Sequence, residues 1–213
     1  SDEKPKGASE LTSPQEKDSA VATGRKSMFS PGQARNGVSV LIRWGYRAHR
    51  TGDPLALEIY RDLMHALLEY YQTDTTINEE GMARYDGDFR DAWTHPVGIL
   101  WDLLEESGAF SDQERLDFTN LLARLALECV IYQGYNRPGA VDKWRENNTI
   151  VHNHNTFPAL GIYFVGRYLK THYNRPQVED WLTVAEGIFA GQKHSPKPLE
   201  DAGDTRFEIR SPI

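Results

Sequence analysis

Five amide or imidazole side chains fall within eight residues of this chain: Asn148, His152, Asn153, His154 and Asn155. They belong to the stretch Trp144-Arg-Glu-Asn-Asn-Thr-Ile-Val-His-Asn-His-Asn-Thr-Phe157, just before the apolar run PALGIYFVGRYL. Such side chains donate hydrogen bonds to anions, and a helix start adds free backbone N–H groups. Either histidine can titrate near neutrality. Three readings compete. As a metal pair, His152 and His154 supply two ligands where a zinc site takes three or four, and no third stands nearby in sequence, so no metal is expected. As a structural cluster, Asn155 or Thr156 caps the next helix and the histidines bond loop carbonyls. As a binding site, the cluster grips a substrate carboxylate and assists proton chemistry.

The third reading has a definite chemistry. Breaking a glycosidic bond at C4 of a uronate by elimination requires loss of the C5 proton, beside the carboxylate. That proton is not acidic while the carboxylate stays anionic. Amides and an N–H-donating imidazole can bind the carboxylate and stabilise the enolate-like charge that develops. A base then takes the C5 proton and an acid protonates the leaving oxygen.

A second set lies upstream, in Arg84-Tyr-Asp-Gly-Asp-Phe-Arg-Asp-Ala-Trp-Thr-His95. Arg84, Tyr85, Arg90, Trp93 and His95 are residue types that bind sugars: aromatic faces stack on the rings and Arg pairs with an acid group. The plainer reading is a polar loop whose Asp residues cap the following helix and whose Trp93 anchors it. The D-G-D spacing of Asp86 and Asp88 fits a Ca2+ loop only weakly, since the other ligand positions are missing.

The elements that must position these sets are helical. From Ser30 onward the apolar spacing is that of helices, with no strong strand signal. Ser30-Pro31 predicts a helix start through VSVLIRWGYRAH, and Pro54 starts a second helix through LALEIYRDLMHALLEYY. A third runs through VGILWDLLEESG. Ser111-Asp-Gln-Glu114 fits a capping box before a fourth, about 113 to 132. A fifth is expected from near Pro158 through ALGIYFVGRYLKTHY, and a sixth from Gln177 to about Ala190. Short links make three antiparallel pairs, whereas long links, about 73–94 and 134–157, separate the pairs. Three such hairpins stacked in one sense predict an all-α arc, an incomplete (α/α)6 toroid. All the long segments would then emerge at one end.

Composition bounds the rest. The 213 residues carry 24 Lys+Arg against 31 Asp+Glu, a net charge of −7, which argues against a nucleic-acid binder. No apolar run is long enough to span a bilayer, so no membrane partner is expected. Cys129 lies in LARLALECVIY and reads as a buried core thiol. His49, His65 and His172 read as surface residues, and Trp44, Trp101 and Trp181 as core. Residues 1–29 hold hardly any large apolar side chain, and their five acids balance five bases, so a flexible leader is expected there. Residues 30–213 would form the partial toroid. Starting at Ser1 and stopping in Ser-Pro-Ile, the chain reads as a processed piece that lacks its C-terminal part.

Paired helices with an Asn-His step before an apolar helix resemble the N-terminal toroid domain of heparinase II/III-like and alginate-type polysaccharide lyases. The matching residues are Asn153-His154-Asn155-Thr156 and the run that follows, within about residues 84 to 205. The resemblance implies β-elimination on uronate-containing glycans. Asn153 and His154 would neutralise the carboxylate, and His154 is a candidate for proton transfer. His152, Asn148 and the upstream set would bind substrate. It implies an anionic polysaccharide partner, no cofactor, and a secreted or periplasmic location with the signal already removed. Asn155 stands where the family has Gly, and no Tyr follows Tyr173. The acid-rich first segment (Asp74, Glu79, Glu80, Asp86, Asp88 and Asp91 against Arg84 and Arg90) favours a carboxylated glycan over a densely sulfated one. Two alternatives stay open. One is a toroid hydrolase of the unsaturated-uronyl type using Asp86, Asp88 or Asp201. The other is a non-catalytic glycan-binding or scaffold fragment. Half a toroid would also expose apolar faces and invite self-association.

Overall fold

The computed structural model describes residues 11–73, 93–132 and 153–190. Among them stand seven α-helices and no strand: α1 (Pro14–Met28), α2 (Ala34–Thr51), α3 (Pro54–Thr73), α4 (Thr94–Leu104), α5 (Asp112–Tyr132), α6 (Asn153–Tyr173) and α7 (Gln177–Ala190). None of these is long and apolar enough to cross a membrane. The chain divides into two compact units. The first holds α1 to α3, α4 from Ile99 and α5 as far as Leu121; the second holds the start of α4, the rest of α5, α6 and α7.

In the first unit the expected flexible leader is corrected: residues 14–28 form α1, which packs on both α2 and α3. The reason lies in what α1 uses for contact. Only Gly24 and Met28 are buried on it. A Cβ on Gly24 would strike the Leu63 side chain, and one on Gly37 of α2 would strike Met28 and the backbone at Gly24 and Met28. Two helices thus meet backbone to backbone at small residues, which leaves no apolar stripe to read. Charge does the rest. Lys17 Nζ lies 2.5 Å from Glu58 and 3.7 Å from Asp62 on α3, Arg25 lies 2.8 Å from Glu69, and Arg47 of α2 lies 3.1 Å from Glu16. Ser13-Pro-Gln-Glu16 starts α1, with the Ser13 hydroxyl accepting from the Glu16 N–H at 3.2 Å. Ser30-Pro31 does not start α2 as expected. The Ser30 hydroxyl instead donates to the Lys26 carbonyl at 2.6 Å, and Gly32 at φ 68° turns the chain toward Ala34.

Asp53 ties this unit at its turn. Only 3% exposed, it accepts from the Thr12 N–H at 2.8 Å and the Thr12 hydroxyl at 2.5 Å, and caps α3 through the Leu55 N–H at 3.0 Å. Burial pushes its carboxyl pKa up, but the bonds from Thr12, Ala56 and Leu55 outweigh burial and leave it below the ordinary value. Gly52, at φ 66°, ends α2 just before it, where a left-handed residue closes the helix.

The fourth predicted helix keeps its bounds to within a residue as α5, whereas the fifth, α6, starts earlier than expected. The capping box before α5 forms: Ser111 N–H and hydroxyl both donate to Glu114 Oε2 at 2.8 Å. Glu114 Oε1 meets His65 Nε2 at 2.7 Å and Arg61 Nε at 3.5 Å, joining α3 to α5. Burial pushes the Glu114 pKa up, but the Ser111 backbone, His65, the Ser111 hydroxyl and Arg61 outweigh it and hold the carboxyl at about 2. Trp101 lies at the centre of this unit, against Phe110 and Phe118, with its indole N–H on the Thr119 hydroxyl at 3.2 Å. In the second unit, α6 and α7 form the expected hairpin, turning at Asn174 with φ 44°. Its core joins Ala159 and Ile162 of α6 to Val184, Ala185 and Ile188 of α7 and to Cys129 of α5. Cys129 and Trp101 are core as expected, Trp181 is partly buried, and His49, His65 and His172 are exposed.

Two substitutions and one titration test these contacts. Gly37→Ala has only backbone and the Met28 stem to push against, so it should cost about 1–3 kcal/mol in urea unfolding. Gly187→Ala, inside α7 with open space around it, should instead stabilise by about 0.5–1 kcal/mol. Because the folded pKa of Asp53 lies below its unfolded 3.8, its contribution is present above that pH and is lost as pH falls through the folded value. An acid-unfolding curve of Asp53→Asn should lack that component.

Candidate functional site

Of the two helices that follow the long segments, α4 begins beside the third turn of α6. A Cβ on Gly161 of α6 would lie 2.9 Å from Thr94 Cβ of α4, and one on Gly98 of α4 would lie 2.7 Å from Val165 Cγ2 of α6. Thr94 faces Gly161 and Gly98 faces Val165, four residues on in each helix, so α4 and α6 run parallel there. Thr94, 1% exposed, also takes the Cys129 thiol of α5 at 3.5 Å. Trp93, half-buried, occupies the cap position of α4, and its carbonyl accepts from the Val97 N–H at 3.3 Å.

Asn153 and His154 form the first turn of α6. The helix therefore starts five residues before Pro158, where the sequence reading had placed it, and Asn155 and Thr156 lie within it, not at its cap. A proline inside the second turn is tolerated because its own N–H is the only donor lost: Pro158 cannot bond the carbonyl of His154, four residues back. The first N–H groups of α6 have no partner within the helix.

His95, in the first turn of α4, stacks on Phe157, with ring centroids 6.2 Å apart and planes 4° from parallel. The structure thus brings one residue of the upstream set beside the helix turn that carries the Asn-His step. Its Nδ1 is buried and has no hydrogen-bond partner. Burial lowers the His95 pKa to about 4, so the ring is uncharged at neutral pH and is no cation for an acid group. Arg84, Tyr85, Arg90, Asn148 and His152 lie outside the described residues, as do Asp86, Asp88 and Asp201. Among the described residues no group of three His, Cys, Asp or Glu side chains is placed to hold a metal ion.

Two contributors escaped the sequence reading. Thr94 was not singled out, though it sits where the chain turns from polar to apolar. Glu128, 5% exposed and 3.2 Å from Arg124 Nε, is the one acid inside LARLALECVIY, with its Arg one helical turn earlier. That spacing was the available clue.

The His95 environment makes a pH prediction. Its folded pKa lies below the unfolded 6.5, so the unfolded state binds the proton first as pH falls. Stability should fall between pH 6.5 and about 4 and level off below, and the His95 ring should titrate near 4 by NMR. A His95→Phe variant should lose that slope.

Comparison of the chain with protein-family models, curated proteins and solved structures gives no match.

Proposed function

We propose that this chain is part of an (α/α) toroid polysaccharide lyase, exported to the periplasm or beyond, that cleaves uronate-containing glycans by β-elimination. The observation that supports the reading most is the parallel docking of α4 and α6, with Thr94 at the start of α4 beside Gly161 of α6. Successive hairpins set in the same sense are what a toroid or an arc of one requires.

In the proposed reaction the uronate carboxylate sits at the first turn of α6. Asn153 and His154 neutralise it together with the free N–H groups of the helix. The C5–H bond breaks and its proton goes to a base. The electron pair forms the C4–C5 double bond, the C4–O bond breaks, and the leaving oxygen takes a proton. His154 is the candidate for a share in that transfer. The remaining acid–base groups and the open faces through which copies would associate belong to the whole protein.

Ultraviolet absorbance of the unsaturated product reads this directly. The chain, and a longer form extended at its C-terminus, should be run against alginate, ulvan, hyaluronan, chondroitin and heparan. The expected result is a rising signal on a carboxylated glycan that drops at least about 100-fold in His154→Ala, the scale of losing one stabilising donor. A flat trace on every polymer with both proteins, or activity unchanged in Asn153→Ala and His154→Ala, would overturn the assignment.

A further inference from the structure

Resting on the substrate class of that reading, we propose that the exposed face of α2 is a docking strip for a β-1,4-linked uronate chain. Arg43 and Arg50 each pair with a carboxylate, and the Tyr46 ring stacks on the sugar between them. Charge is the first observation. α2 carries Arg35, Arg43, Arg47 and Arg50 and no Asp or Glu. Over residues 11–73, eight Lys and Arg stand against six Asp and Glu, a net of +2 in a chain of net −7. Five of those acids already face other cations: Glu16 and Asp53 face Arg47, Glu58 and Asp62 face Lys17, and Glu69 faces Arg25. Arg43 and Arg50 are exposed and enter no ion pair among the described residues. The negative end of the helix accounts for Arg50, in the last turn, but not for Arg43, two turns earlier. Uncommitted guanidinium groups in a basic part of an acidic chain suit an anion from outside.

Spacing is the second observation. Arg43, Tyr46 and Arg50 lie within about 60° of one another around the helix, and the two arginines stand about 10.5 Å apart along it. In a two-fold β-1,4-linked ribbon successive carboxylates alternate sides. Those on one side recur at every second sugar, an advance close to that spacing. The sugar between them turns its own carboxylate away and offers the C–H surface of its ring. Tyr46, 39% exposed, stands at that level. Guanidinium forks take carboxylates in bidentate pairs, and an aromatic face covers the apolar side of a sugar. The same strip does not suit an anionic membrane. Tyr46 is the one large apolar side chain exposed on α2, whereas an interfacial helix lays down an apolar stripe.

The test titrates the full chain with the β-1,4-linked mannuronate dimer and trimer by calorimetry, in a His154→Ala background so that cleavage does not intervene. Only the trimer presents two carboxylates on one side, so it should bind about 5-fold more tightly than the dimer. Arg43→Gln should bring the trimer down to the dimer's affinity. Arg43→Lys should restore part of the step, since an ammonium lacks the fork. Tyr46→Ala should weaken the trimer about 5-fold and Tyr46→Phe, which keeps the ring, should not. The arginine variants should keep their melting temperature, because the replaced groups are exposed. Arginine Nε–H resonances of the unsubstituted chain should shift at Arg43 and Arg50 as trimer is added, a readout that needs no variant at the strip. Equal affinity for dimer and trimer, an Arg43→Gln variant that matches its parent, or Arg43-dependent binding to phosphatidylglycerol vesicles with none to the trimer overturns the proposal. If polymer is cleaved and the trimer ignores Arg43, this inference fails alone. If the trimer binds through Arg43 and no polymer is cleaved, the strip stands and the lyase reading fails. A chain that neither binds nor cleaves any probe overturns both.

Discussion

Everything proposed for the site depends on how closely α4 and α6 can lie. Helix axes separate by the thickness of the side chains between them, and here Gly98 and Gly161 remove that thickness at two levels. The small contact also fixes register. Thr94 must sit over Gly161 and Val165 over Gly98, so His95 has one place to go, beside Phe157. A bulkier residue at either glycine would push α4 and α6 apart at this contact, and at Gly161 it would also press on Cys129, a member of the core shared with α7.

The helical framework was legible because most of it is written in large apolar residues at helical spacing. In α3, the expected face of Leu57, Leu63, Leu67 and Tyr71 is buried except at Leu57, which is half-buried, and Ile59, Tyr60 and Met64 widen it because α3 has α1 and α2 as neighbours as well. What escaped notice was written in other terms. Ser13-Pro-Gln-Glu16 has the same S-x-x-E spacing as Ser111-Asp-Gln-Glu114, yet only the second was read as a cap, since no apolar run follows the first. The contacts of α1 are glycine and charge, and composition counts both as solvent-facing. Pro158 misled in the opposite way. A proline is a good first residue, but nothing in its own chemistry prevents a turn of helix from preceding it.

The candidate site was legible by residue type and not by electrostatics. His95 was grouped with Arg84, Tyr85, Arg90 and Trp93 as part of a sugar-binding set, from residue type alone. Its shift comes from burial, and Phe157, the ring it stacks on, is more than sixty positions away in sequence. Spacing along a chain carries no information about dielectric surroundings built by a distant segment. The same holds for Asp53, which Thr12 reaches from 41 positions away, and for the His65 and Arg61 contacts of Glu114, whereas its Ser111 donors were legible as a capping box.

The pairing that holds α1 has a consequence for the solvent the protein works in. The attractions at Lys17, Arg25 and Arg47 act between side chains that keep a quarter to a half of their surface in water. Dissolved electrolyte screens such pairs, and the Debye length shrinks from about 10 Å at 0.1 M to about 3 Å at 1 M. The apolar contacts of α6 with α7 respond the other way, since strongly hydrated salts such as sulfate strengthen burial. Rising sulfate therefore weakens the charged attachment of α1 while it tightens the hairpin of the second unit. Brine or fresh water would set a different balance between the two units without any change in sequence.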